Sequence, residues 1–133
     1  MRSNLDVARL LLRRAGSDLA DVRRTLASEG PYDTALFHCQ QAVEKYLKAL
    51  LAARNAIYPK IHDVVELADL CTGFCPALRQ LPFDLAEFNP FAVTIRYDDV
   101  DEAVSLALAK EMFDKCTQVL AVVVAALPEE IRP

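Results

Sequence analysis

Few side chains in this sequence are suited to chemistry, and they gather in three stretches. FHCQQAVEKYLKALL, Phe37 to Leu51, carries His38, Gln41, Lys45 and Lys48. PKIHDVVEL carries His62, the other of the 2 histidines. TIRYDDVDE, Thr94 to Glu102, places Arg96 and Tyr97 ahead of Asp98, Asp99, Asp101 and Glu102. Lysines are point charges for a phosphate, a guanidinium holds one in bidentate fashion, and a glutamine amide matches a base edge. Histidines and Lys45 are the acid–base candidates, with Arg96 and His62 as the two positions a catalytic site would use. No glycine-rich phosphate loop, paired-histidine motif or nucleophile elbow accompanies them, so an ordinary enzyme site has little support.

Each stretch also has a plain structural account. At about 100° per residue, Leu36, Cys39, Val43, Tyr46, Leu47 and Leu50 share one helical arc. Gln40 falls inside that arc, so it is expected as a core amide that must find hydrogen-bond partners. Ala35, Ala42, Ala49 and Ala53 form a small-residue strip that admits a close helix, from the same chain or from a second subunit. His38, Gln41, Lys45 and Lys48 form a polar, basic strip: a solvated face, or a surface that takes an anion or base. Glu44 stands beside it, placed to pair with Lys48 at i,i+4. Arg96 either pairs with Asp98 or Asp99 at the entry to the last helix, or donates to a phosphate with Tyr97 stacking nearby. His62 either caps the third helix or, close to Arg96, serves as a base.

These residues need a scaffold, and the pattern around them is helical throughout. Leu5, Ala8, Leu12, Ala15, Leu19, Val22 and Leu26 recur at helical spacing, predicting a first helix from about Asn4 to Ser28 with Arg13, Arg14, Asp18, Arg23 and Arg24 outward. Gly30-Pro31 makes a turn, and a second helix runs from Tyr32 or Asp33 to about Arg54. RNAIYPKIHD lacks a period and is expected to be a loop. Asp63 then caps a third helix with Val64, Leu67, Ala68 and Cys71 inward and Gly73 near its end. Pro76, Pro82 and Pro90 break the next stretch into short helical turns, and AVTIRY is expected to be irregular or helical. The last helix is expected to start after DDVDE, whose acids suit a helix N-terminus, and to run through Val104, Leu108, Met112, Cys116, Val119 and Val123 to Leu127, stopping at Pro128. The expected fold is all-α, an up-and-down four-helix bundle with a short helix or irregular connection before the last helix, filling residues 1–133 as one domain.

Composition agrees and excludes several classes. The chain has 133 residues, 53% hydrophobic and only 3 glycines, which favours helices over a β-sandwich. Its net charge of −4 argues against broad coating of nucleic acid and leaves room for a local basic patch. Charges interrupt every apolar run short of membrane-spanning length, and the N-terminus lacks a signal-peptide pattern, so a cytoplasmic protein is expected. Cys39, Cys71, Cys75 and Cys116 have neither disulfide-framework nor zinc-site spacing and are expected as small buried hydrophobes, with no metal or cofactor implied.

At these residues the chain resembles the HEPN family, the helical domain named for higher eukaryotes and prokaryotes nucleotide-binding. The likeness lies in the order of a long first helix, YDTALFHCQQAVEKYLKALL, KIHDVVELADLC, the IRYDD turn and an alanine-rich last helix, over roughly residues 5 to 127. The resemblance implies a helical bundle that dimerises through its helices, binds a nucleotide or RNA, and partners a minimal nucleotidyltransferase in a toxin–antitoxin-like pair. In toxin members it implies metal-independent RNA cleavage by an arginine followed, after four to six intervening residues, by a histidine. Arg96 matches that arginine, but Asp101, Glu102 and Ala103 stand where the histidine would be, so that pair is incomplete. His38, Gln41, Lys45, Lys48 and His62 match the family's polar helix and turn positions. Binding module, purely structural adaptor and redirected ribonuclease using His62 or His38 with Arg96 therefore stand, in that order, as the function classes.

Overall fold

The computed structural model describes residues 3–92 and 103–133, which are helical throughout apart from their connections. Four α-helices span Asn4–Leu26 (α1), Asp33–Ala53 (α2), Val64–Cys71 (α3) and Leu106–Ala126 (α4). Short 3-10 helices at Pro76–Gln80, Leu85–Phe91 and Glu129–Ile131 complete the bundle. The expected punctuation by Pro76 and Pro90 is present as the first two of these turns.

α1 begins in a reciprocal cap: the Asp6 amide donates to Ser3 Oγ at 3.1 Å, and the Ser3 amide to the Asp6 carboxylate at 3.1 Å. Ala8, Leu12, Ala15, Leu19 and Val22 are buried, as their spacing requires. Asp18 is the exception to the expected outward set. It is buried, because it lies only about 40° around the helix from Val22, on the flank that faces α2.

α2 is the axis of the molecule, packing against α1, α3 and α4. Leu36, Cys39, Val43, Tyr46, Leu47 and Leu50 are buried on it, and so is Gln40. Ala35, Ala42 and Ala49 are fully buried within the chain, as are Ala8 and Ala15 of α1. Small residues on both helices let the pair lie close, so those alanines serve the intrachain packing and are not open to a second subunit.

After α2 the loop expected at RNAIYPKIHD runs back along it, so that α3 starts level with Gln40 and ends level with Leu47. Asp63 caps α3 as expected, accepting from the amides of Val65 (2.9 Å) and Glu66 (3.2 Å). Asn89 holds the same corner from the second 3-10 helix, donating to Asp63 and accepting from the Val64 amide at 3.0 Å.

α4 starts later than expected. Ser105 supplies its cap, accepting from the Leu108 amide at 3.0 Å, so Val104 precedes the helix and Leu108 is exposed at its first turn. Met112, Cys116, Val119, Val123 and Leu127 form its buried face. The acids at 98–102 and the AVTIRY segment from Val93 onward, expected to cap the helix and to connect to it, lie outside the described residues. All four thiols are free and buried in the core. No helix among the described residues is long and apolar enough to cross a membrane.

Candidate functional site

The polar strip of α2 is a charge-balanced network built on two buried carboxylates. Asp18 of α1 accepts from His38 Nδ1 at 2.7 Å through one oxygen and from Lys45 Nζ at 2.5 Å through the other. Glu44 of α2 accepts from His62 Nδ1 at 2.9 Å and Gln40 Nε2 at 3.0 Å through Oε1, and from Lys48 Nζ at 3.1 Å through Oε2. Each carboxylate thus carries one lysine and one histidine. Because a carboxylate only accepts, each ring presents its Nδ1–H inward.

Gln40 joins this network to the backbone. Its amide nitrogen also donates to the His62 carbonyl at 3.0 Å, and its oxygen accepts from Gln41 Nε2 at 2.7 Å. The core amide is fully partnered, and among the described residues no buried side-chain nitrogen or oxygen lacks a hydrogen bond. Its bond to the His62 carbonyl fixes the loop just ahead of the Asp63 cap, which is how a residue of α2 positions a histidine 22 positions later.

Exposure separates the two halves. Asp18 and Glu44 side chains are 8% and 6% exposed, Lys48 12% and Lys45 21%. The lysines are therefore not freely solvated cations, and the expectation of a simple basic face is corrected: their ammonium groups answer carboxylates that the burial of α1 and α2 would otherwise leave unpaired. His62 is 62% exposed, and its Nε2 has no partner among the described residues. His38 is more enclosed, its Nε2 lying 3.8 Å from Asp21. Tyr58, on the returning loop, lies over Lys48 with Nζ 6.0 Å from the ring centroid. Burial works to raise the Glu44 carboxyl, but the hydrogen bonds from Gln40, His62 and Lys48 outweigh it and hold the group below its ordinary value.

The structure therefore places His38 and Lys45 about Asp18, and Lys48 and His62 about Glu44 with Gln41 tied to Gln40, two clusters side by side on the polar face of α2 that together form the seam, while Arg96 and Tyr97 lie outside the described residues. Asp18, the central role of Glu44, and Tyr58 were missed from sequence. For Asp18 a signal existed: it follows Ala15 by three positions and precedes Val22 by four, which is core spacing. Arg14, one turn ahead of Asp18 on the same flank of α1, is exposed and has no ion pair among the described residues. A separate depression of about 570 Å³ is walled by Asp84, Glu87, Glu111 and Asp114, with Lys115 clamped between Glu87 and Glu111. Its sign repels a phosphate.

The described residues thus form an all-helical bundle around a long central α2. The HEPN domain model matches residues 8–130, nearly the whole chain, and the protein belongs to that family. Neither a curated protein nor a solved structure matches the chain significantly.

Proposed function

We propose that this HEPN domain binds a nucleotide or RNA through the α1–α2 seam and the Arg96–Tyr97 turn, acting as a homodimer beside a minimal nucleotidyltransferase in a toxin–antitoxin-like pair. The observation that carries the reading is the clustering of His38, Gln41, Lys45, Lys48 and His62 about two buried carboxylates, on an otherwise acidic chain. In this reading Gln41 and His38 face a base or ribose, the lysines and Arg96 face phosphate, and Tyr97 stacks. Family membership supports the nucleotide- or RNA-related class. Titration of the purified protein with ATP and single-stranded RNA, with Arg96→Ala and Gln41→Ala as comparisons, tests it. Loss of binding is expected in both variants at a temperature where circular dichroism shows each fully folded; unchanged affinity in both refutes the assignment. Light scattering and co-purification with a neighbouring nucleotidyltransferase test the assembly.

A second reading, redirected RNA cleavage, is favoured by one feature. His62 is exposed while Glu44 holds its Nδ1, the orientation a carboxylate gives to a general base. Metal-free cleavage that disappears in both Arg96→Ala and His62→Ala supports this reading; absence of cleavage by the purified protein retires it.

A further inference from the structure

The lysines and carboxylates of the seam cancel, two of each, so its net charge is set by what else can ionise. Around it stand Asp18 and Asp21 of α1, with Arg24 paired to Asp21, then His38, Glu44, Lys45 and Lys48 of α2, while Cys116 of α4 feels the charges of Asp18 and Arg23. The returning loop adds Tyr58, over Lys48, and His62, with the α3 cap Asp63 next to it. Of these, only the two histidines belong to a residue type whose ordinary titration falls between about pH 5 and 8. Each already offers Nδ1–H to a carboxylate, so a second proton would go to Nε2, the nitrogen turned away from that carboxylate.

Resting on the binding reading above, we propose that the seam is a phosphate-oxyanion site switched on by histidine protonation. With both rings neutral the two lysines only match the two carboxylates they bond, and the site binds weakly; with both protonated it carries two additional positive charges and a new N–H donor at His62, while the second nitrogen of His38 faces Asp21 at 3.8 Å. The ligand class is a phosphate group, of a free nucleotide or of an RNA backbone. A buried carboxylate beneath each ring orients it, holding Nδ1 inward and leaving Nε2 for the second proton.

The test needs probes whose own charge is constant over the range. Sulfate stands in for a free phosphate, and an oligouridylate without terminal phosphates presents only RNA backbone. Both would be titrated into the full chain at about pH 6 and about pH 8. Binding about fivefold or more tighter at the lower pH is expected for the probe that fits, and tightening of oligouridylate alone assigns the site to RNA backbone. His38→Asn and His62→Asn keep an amide donor to each carboxylate without the titration, and together they should reduce that ratio to below about twofold. NMR titration of the His62 ring gives a second measurement: a ligand contact raises its midpoint when the probe is added, and a structural histidine does not shift. Binding with no pH dependence, or dependence that survives both substitutions, overturns the switch and leaves the binding reading intact. No binding of either probe at either pH overturns both.

Discussion

Removing the Glu44 carboxylate should destabilise the fold more than any surface charge substitution. Glu44 accepts from Lys48, His62 and Gln40 in a site only 6% exposed. In Glu44→Ala, Gln40 keeps its bond to the His62 carbonyl, and His62 is already largely solvated. The cost falls mainly on Lys48, which is 12% exposed beneath Tyr58 and must swing out or remain unpaired. Breaking a buried pair from one side costs about 3–5 kcal/mol, and partial access to water places this one at roughly 2–3 kcal/mol. Glu44→Gln, which keeps the shape and loses only the charge, should cost about 1–2 kcal/mol. Urea titration followed by circular dichroism reads both as midpoint shifts at constant slope. The pH dependence has a definite sign. The folded carboxyl lies below its ordinary value of 4.5, so its contribution is complete above about pH 4.5 and is lost as pH falls through the lower folded value. The gap between the natural protein and Glu44→Gln should therefore close on acidification. A Glu44→Ala variant within about 1 kcal/mol of the natural protein, or a gap that widens in acid, would refute the account of a carboxylate-centred network.

Three further outcomes follow from the same contacts. Gln40→Leu leaves Glu44, the His62 carbonyl and Gln41 each one partner short, and should cost about 1–3 kcal/mol in the same denaturation assay. Asp63→Ala removes the α3 cap and the Asn89 contact together, so about 1–2 kcal/mol is expected, with faster amide exchange at Val65 and Glu66. The four buried thiols should resist iodoacetamide in the folded protein and react after unfolding, since burial pushes the Cys71 thiol up to about 12 and raises Cys75, while a hydrogen bond with Cys39, and then burial, raise Cys116. Rapid native labelling at Cys71 would show that the core opens there.

Much of the helix order was legible because apolar spacing and caps are local properties. Asp63, the prolines and the apolar face of α2 mark their elements within a few residues of sequence. The start of α4 was missed because a cap depends on which serine meets the helix axis, and Ser105 competes with several acids upstream. The site was legible in membership but not in character. His38, Gln41, Lys45 and Lys48 share a strip by periodicity alone; Gln41 and Lys48 find partners within α2, but the partner of His38 and Lys45 is Asp18, 20 and 27 positions away on α1. A lysine facing solvent and a lysine answering a buried aspartate give the same pattern in sequence. The packing of α1 on α2 decides between them.

That packing also determines which substitutions can inform on function. Lys45 holds Asp18 across the α1–α2 contact, so Lys45→Ala removes a positive charge and also strands a carboxylate that is 8% exposed. A loss of ligand affinity in that variant would not separate binding from unfolding. Replacing both members, Asp18→Asn with Lys45→Met, removes the pair without leaving either charge buried alone and should be close to neutral in stability, since the net worth of a buried pair against neutral residues is small. If affinity for a phosphate ligand falls in that double variant at unchanged thermal midpoint, Lys45 contacts the ligand. If affinity is unchanged, the lysine belongs to the scaffold, and the charge that meets the ligand comes from the more open side of the seam, where His62 lies.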